Sequence, residues 1–201
     1  MPKIGVLDVG IGNTISIKNA FFAIGVDCEI FKDHSRTQKF SHLVIPGVGA
    51  FGKGLQELRN GGFEPEINKF RETSKPILGI CLGMQMLFES SEEGSERGLG
   101  MLKGKISKIQ PSETIRVPNT AWNVVEIIKP NALTEIGEKI RAYHNHSFAF
   151  QDPSASITTG VISNSPNVVV AVQLENLFGL QFHPEKSHSA GLKILKRFCD
   201  F

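Results

Sequence analysis

The chain has 201 residues, of which 40% are hydrophobic and 21% charged, as is typical of a globular protein with a sizeable core. Its 22 basic and 20 acidic residues leave a net charge of only +2, which argues against a nucleic-acid-binding surface. The short apolar run at the N-terminus has the character of a strand rather than of a signal peptide or membrane span. We therefore expect a cytoplasmic protein folded as a single domain over residues 1–201.

The first half of the chain predicts alternating strands and helices. Four short apolar runs are predicted strands: 3–9, 26–31, 42–46 and 76–80. Helical spacing of apolar residues covers three segments: 14–24, 52–60 and 63–72. This order is typical of a parallel sheet with helices on both faces.

The second half is richer in β-forming residues. Six runs between turn signals are predicted strands, mixed or antiparallel: 105–109, 123–128, 140–150, 156–162, 168–173 and 179–182. A short amphipathic helix is predicted over 190–198.

Cys81 stands where the strand over 76–80 ends and a helical pattern begins, within Gly79-Ile80-Cys81-Leu82-Gly83. This strand–nucleophile–helix form is that of a nucleophile elbow, and the start of a helix favours the thiolate form of a cysteine. The alternative is a small buried residue, which is our interpretation of Cys28 and Cys199. The three cysteines are too few and too far apart for a disulfide framework or a metal site.

The segment "GLQFHPEKS" (179–187) offers a base for such a nucleophile. His183 follows a predicted strand, and alternation along an extended chain would bring Glu185 onto the same side to orient the imidazole. The His-Pro-Glu motif alone is weak evidence for a catalytic base, and the nucleophile elbow at Cys81 strengthens it. Three further histidines lack a comparable context and are predicted to lie on the surface: His34, His42 and His188.

Acyl-transfer chemistry also needs donors for the developing oxyanion. The amide of Leu82 is one candidate, and the glycines of "PGVGAFG" (46–52) could point another amide into a site. The alternative for 46–52 is a tight turn that binds no ligand. The GxxxxGK[ST] phosphate-binding pattern is missing there.

Taken together, the chain resembles the class I (triad) glutamine amidotransferases, in particular the glutaminase subunits of imidazole glycerol phosphate synthases. The resemblance covers nearly the whole chain in order, through "LDVGIGNTISIKNAFFAIG", "IPGVGAFG", "GICLGMQMLFESSEEG" and "GLQFHPEKS", with weaker agreement in "ERGLGMLKGKI", "VPNTAWN" and "HNHSFAF". It implies a flavodoxin-like α/β fold with a mostly parallel central sheet, helices on both faces and additional antiparallel strands in the C-terminal half.

The resemblance also implies roles for particular residues. The catalytic triad would be Cys81, His183 and Glu185, and the oxyanion hole would use the amides of Val48 and Leu82. The glutamine pocket would comprise Gly49, Gln85, Glu93, His146, Ser147 and Phe148. The partner interface and ammonia passage would involve Asn119, Trp122 and Asn123. The implied reaction is thiolate attack on the glutamine side-chain amide, release of ammonia and hydrolysis of a glutamyl thioester, with no cofactor.

The implied partner is a synthase subunit of the (β/α)8-barrel type, bound as a heterodimer, with no nucleic acid and no membrane involved. The chain departs from the family's pattern in three places, and the first of them, at 119–121, bears on the identity of the partner. The family's "PH-x-G-WN" is here Pro118-Asn119-Thr120-Ala121-Trp122-Asn123, Val9 replaces a usual tyrosine, and "EKSHSAGLKILKRF" is similar to paralogues that serve a sugar-amidating enzyme in surface-polysaccharide synthesis. That paralogue function, a non-catalytic binding subunit and a cysteine hydrolase of peptides or other amides are the alternatives.

Overall fold

The computed structural model describes residues 2–201, and within them it contains twelve strands, five α-helices and two 3₁₀ turns. The strands are β1 Ile4–Leu7, β2 Cys28–Phe31, β3 His42–Ile45, β4 Ile77–Ile80, β5 Phe88–Ser91, β6 Leu102–Lys108, β7 Asn119–Ile127, β8 Lys139–His146, β9 Phe148–Phe150, β10 Thr158–Ile162, β11 Ser165–Leu174 and β12 Leu177–Leu180. The α-helices are α1 Thr14–Ala23, α2 Phe51–Asn60, α3 Phe63–Glu72, α4 Leu82–Met86 and α5 His188–Asp200, and the 3₁₀ turns are His34–Lys39 and Pro184–Lys186. None of these helices is long and apolar enough to cross a membrane.

All twelve strands belong to one sheet. Five parallel strands run in the order β2-β1-β3-β4-β12, and the sheet continues through antiparallel pairs along β11-β10-β7-β8, with β5, β6 and β9 attached beside this path. The parallel part has the strand order of flavodoxin-like folds, in which ligands bind beyond the carboxyl ends of the strands. The predicted fold class is therefore confirmed, including the antiparallel strands of the second half.

Helices cover both faces of the parallel strands. Ile17 and Phe21 of α1 pack with Phe198 of α5 in one apolar cluster, whereas α2 and α3 bury Leu55 and Ile67 in a second cluster on the opposite face. Every residue of β1, β3, β4 and β12 is buried, as continuous apolar runs require when both faces of a sheet are covered.

Two local predictions were wrong, and one strand was not predicted. The strand expected over 140–150 is broken at Ser147 into β8 and β9. The helix expected after Cys81 is present as α4 and ends at Met86, where the chain turns into the unpredicted strand β5. Residues 184–186 form a 3₁₀ turn instead of continuing the extended chain.

His42 is also not a surface histidine. It is buried, its ring packs edge-on against Phe198, and its Nε2 has no hydrogen-bond partner among the described residues. Burial lowers its pKa because the charged form loses hydration. His34 and His188 are exposed, as predicted.

Candidate active site

Cys81 occupies a strained corner between β4 and α4. Its backbone angles are φ 55° and ψ −111°, a conformation that costs a non-glycine residue about 1–3 kcal/mol and that clusters at functional sites. The Cys81 amide donates to the Leu180 carbonyl at 2.7 Å and so ties the corner to the end of β12.

The glycines beside Cys81 are required for space. A Cβ on Gly83 would lie 1.8 Å from the Ile45 carbonyl oxygen, and one on Gly79 would lie 2.7 Å from the Met84 nitrogen. Neither glycine has a positive φ, so close backbone approach, rather than conformational freedom, explains both ends of the Gly-x-Cys-x-Gly frame.

His183 and Glu185 form a buried pair at the end of β12. Nδ1 of His183 lies 2.8 Å from Oε1 of Glu185, and the two side chains are 4% and 2% exposed. The 3₁₀ turn folds Glu185 back toward the ring, so the predicted contact is present although its expected cause, an extended chain, is not. Burial opposes protonation of His183, but its interactions with the nearby Cys81 and with Glu185 outweigh this and raise the pKa of His183 to about 9.

A small cavity opens beside the Cys81 corner. Its volume is about 80 Å³, and it is lined by Val48, Gly49, Cys81, Leu82, Gln85, Glu93, Asn145, His146, Ser147 and Phe148. All of these except Asn145 belong to the residues that the resemblance implies for the nucleophile, the oxyanion hole or the glutamine pocket. The only sequence signal for Asn145 was its place inside "HNHSFAF".

The two expected oxyanion donors differ in their surroundings. The Leu82 amide donates to the Gly47 carbonyl at 3.3 Å, so it is not free to bind a substrate oxygen in this conformation. Val48 lies next to this carbonyl with its side chain 44% exposed, and Gly49 has a φ of +102° that few other residues adopt. The loop 46–50 therefore borders the cavity without presenting a complete pair of donors.

His146 is a neutral group in the wall of the cavity. Burial lowers its pKa to about 4. Its Nδ1 lies 2.9 Å from the Phe148 carbonyl, which can only accept, so Nδ1 carries the proton and Nε2 accepts from Nδ2 of Asn119 at 3.2 Å. Asn119 is itself buried, and its Oδ1 accepts from Asn123 at 2.9 Å. The segment predicted to face a partner is thus joined directly to the predicted glutamine pocket.

Glu93 has a role that the sequence did not indicate. Its Oε2 accepts from the Phe51 amide at 2.8 Å, which satisfies a free donor at the N-terminus of α2.

Trp122, in the same predicted partner segment as Asn119, is exposed where Asn119 is buried. Its exposed fraction is 38%, and its ring stacks on that of His188 with centroids 4.9 Å apart.

The other two cysteines lack the surroundings of Cys81. Burial raises the pKa of Cys28 to about 11 and that of Cys199 to about 12, so both thiols stay protonated at neutral pH. This agrees with their interpretation as small buried residues.

Comparison with known proteins gives consistent matches along the chain. The family model described as glutamine amidotransferase class-I matches residues 5–200. The imidazole glycerol phosphate synthase subunit HisH of Sulfurimonas denitrificans is 40% identical over 203 residues, covering 98% of both chains. The HisH subunit of Wolinella succinogenes is 38% identical over 202 residues, again covering 98% of both.

Solved structures agree at the level of the fold. A structure of PurLQS from Thermotoga maritima superposes with a TM-score of 0.75 at 20% identity, covering 99% of this chain and 98% of that one. A crystal structure of a glutamine amidotransferase also gives a TM-score of 0.75, at 17% identity and with 98% and 97% coverage.

Proposed function

Since the chain belongs to the class I glutamine amidotransferases, we propose that Cys81, His183 and Glu185 form the triad with which it hydrolyses glutamine, as the glutaminase subunit of an imidazole glycerol phosphate synthase. The observation that carries this proposal is the buried His183–Glu185 pair beside a strained cysteine that opens into a small polar cavity. The ammonia that the chain releases is used by the partner synthase subunit in histidine biosynthesis, and we assign the protein to the cytoplasm.

In the first half of the reaction, the Cys81 thiolate attacks the side-chain amide carbon of glutamine. The imidazolium of His183 gives its proton to the nitrogen as the carbon–nitrogen bond breaks, so ammonia leaves and a glutamyl thioester remains. The raised pKa of His183 keeps this proton in place at neutral pH.

In the second half, neutral His183 takes a proton from water, which attacks the thioester. Glutamate leaves, and the thiolate–imidazolium pair is regenerated. Glu185 keeps Nδ1 protonated and stabilises the positive ring, so it orients the base without reacting itself.

The oxyanion hole completes this mechanism only after a local change. We assign its donors to the amides of Val48 and Leu82, which requires the Leu82 amide to leave the Gly47 carbonyl. The family resemblance implies that binding of the partner drives this rearrangement, so low activity of the isolated subunit is expected.

The partner is assigned to the (β/α)8-barrel synthase type, bound as a heterodimer through the face that carries Trp122. Glutamine occupies the cavity against Gln85, Glu93 and His146, and ammonia leaves along Asn119 and Asn123. One observation favours a second candidate: residues 119–121 depart from the family's segment at this face. A sugar-amidating enzyme is therefore the alternative acceptor of the ammonia.

The test is glutamate formation by the purified chain with its synthase subunit. Cys81→Ala should abolish turnover, whereas Cys28→Ala, which removes another buried thiol outside the site, should retain it. Partner-stimulated turnover in Cys81→Ala would contradict the proposal. If only a sugar-amidating enzyme stimulated glutamine turnover, the glutaminase assignment would stand, but the assignment to histidine biosynthesis would be replaced by the sugar-amidating alternative.

A further inference from the structure

Gln181 is a fully buried glutamine beside the nucleophile. Its exposed fraction is 0%, and it lies two residues before His183 on the same segment after β12. A buried side-chain amide is costly unless both of its ends are hydrogen-bonded. Its Oε1 accepts from Nε2 of Gln85 at 2.9 Å, and its Nε2 lies 3.7 Å from Sγ of Cys81.

The hydrogen bonds define which end of the Gln181 amide faces the sulfur. Nε2 of Gln85 also donates to the Phe148 carbonyl at 3.0 Å, and since a carbonyl only accepts, this contact fixes the NH₂ end of Gln85. Gln85 therefore requires an acceptor from Gln181. The oxygen of Gln181 faces Gln85, and its N–H groups face Cys81.

The contacts of the Cys81 sulfur differ in the charge they favour. The Asn145 carbonyl, 4.0 Å from Sγ, can accept only from a protonated thiol. An amide N–H donates to sulfur in both states and more strongly to the anion, because hydrogen bonds to charged groups are the stronger ones. Gln181 is thus placed to favour the thiolate.

We propose that Gln181 is a positioning residue, which holds the Cys81 thiolate through an N–H···S hydrogen bond and links it to Gln85 in the cavity wall. The inference rests on the proposed glutaminase function, because only there does the thiolate react. Gln181 does not line the cavity, so it acts through Cys81 and not on the substrate.

The pH profile of Cys81 alkylation by iodoacetamide, followed by mass spectrometry, tests this role. Gln181→Met keeps roughly the volume but removes the side-chain amide, and should move the midpoint up by about one pH unit, with about tenfold slower alkylation at pH values below both midpoints. The matched control is Gln173→Met, because Gln173 is also bonded at both ends but lies away from the cavity; its profile should equal that of the wild type. A wild-type profile in folded Gln181→Met would overturn the inference.

A measurement on unchanged Gln181 covers the case in which Gln181→Met does not fold. The side-chain ¹⁵N–¹H signals of Gln181 should shift with pH in the wild type, in step with alkylation of Cys81, and should lose that shift in Cys81→Ala. Signals that do not move with pH, or that move equally in both proteins, would refute the contact.

Glutamine turnover with the synthase subunit separates this inference from the proposed function. Gln181→Met should lower kcat about tenfold and change KM less than kcat, because Gln85 loses one hydrogen bond but keeps its bond to the Phe148 carbonyl. Normal kcat in Gln181→Met with an active wild type would refute only the role of Gln181, whereas an inactive wild type would refute the glutaminase.

Discussion

Replacement of Glu185 by glutamine removes one charge from the His183 pair and keeps its shape. The pKa of His183 stands at about 9 instead of 6.5, which corresponds to about 3 kcal/mol in favour of the imidazolium. Burial opposes this, and Cys81 and Glu185 together produce it, so we assign a contribution on the order of 1–2 kcal/mol to the carboxylate. Glu185→Gln should therefore lower the pKa of His183 by about one pH unit, as read from its imidazole signals by NMR titration.

The same change predicts a pH-dependent stability. Because the pKa of folded His183 lies above 6.5, protonation stabilises the fold fully below pH 6.5, and this contribution is lost as the pH rises through about 9. Urea unfolding should show wild type more stable than Glu185→Gln by about 1–2 kcal/mol near pH 6. Near pH 10 the difference should vanish or reverse, since Oε2 of Glu185 is buried without a hydrogen-bond partner among the described residues, and a neutral amide is cheaper to bury than a carboxylate.

Turnover completes the test. Glu185→Gln should retain activity about a hundredfold to ten-thousandfold below wild type, as expected for loss of an orienting carboxylate, while Cys81→Ala retains none. An unchanged pKa of His183, or a stability difference equal at both pH values, would refute the reasoning that Glu185 acts through its charge.

Two further predictions concern packing. Gly83→Ala should unfold the corner and abolish turnover, because its Cβ would lie 1.8 Å from the Ile45 oxygen. The control Gly94→Ala, whose Cβ would have no heavy atom closer than 3.9 Å, should melt within a few degrees of the wild type. Equal melting temperatures of the two variants would contradict this account. Phe198→Ala should lower the free energy of unfolding in urea by about 3–5 kcal/mol, since the ring is fully buried beneath the sheet, and a loss below about 1 kcal/mol would show that the helix does not pack as described.

The parallel half of the fold was predictable because its strands are buried on both faces. Such strands read as unbroken apolar runs, and the glycines between them mark the turns. The break at Ser147 was not predictable, because the run from 140 to 150 is apolar enough for one strand and only the pairing of β9 with β6 and β11 bends it. The burial of His42 likewise depends on α5, a helix from the other end of the chain.

The candidate site was predictable where one segment carries its own signal. The frame around Cys81 and the "HPE" segment are local motifs, and the resemblance supplied most of the cavity wall. Gln181 and Asn145 were missed because each lies inside a quoted motif without a pattern of its own. The hydrogen bond between the Leu82 amide and the Gly47 carbonyl was not predictable either, because it depends on the backbone conformation of the loop and not on the types of its residues.

β4, the strand that leads into Cys81, pairs with one strand that is synthesised before it and with one that is synthesised much later. β3 is synthesised before β4. On the other side of β4 lies β12, and Gln181, which directly follows β12, is synthesised 100 residues after Cys81. At about 5–20 residues per second this interval lasts about 5–20 s, and closing so long a loop makes the pairing a late, non-local event. Throughout that time Cys81 has neither His183 nor Gln181 beside it, so the candidate site is assembled only when nearly the whole chain has been translated.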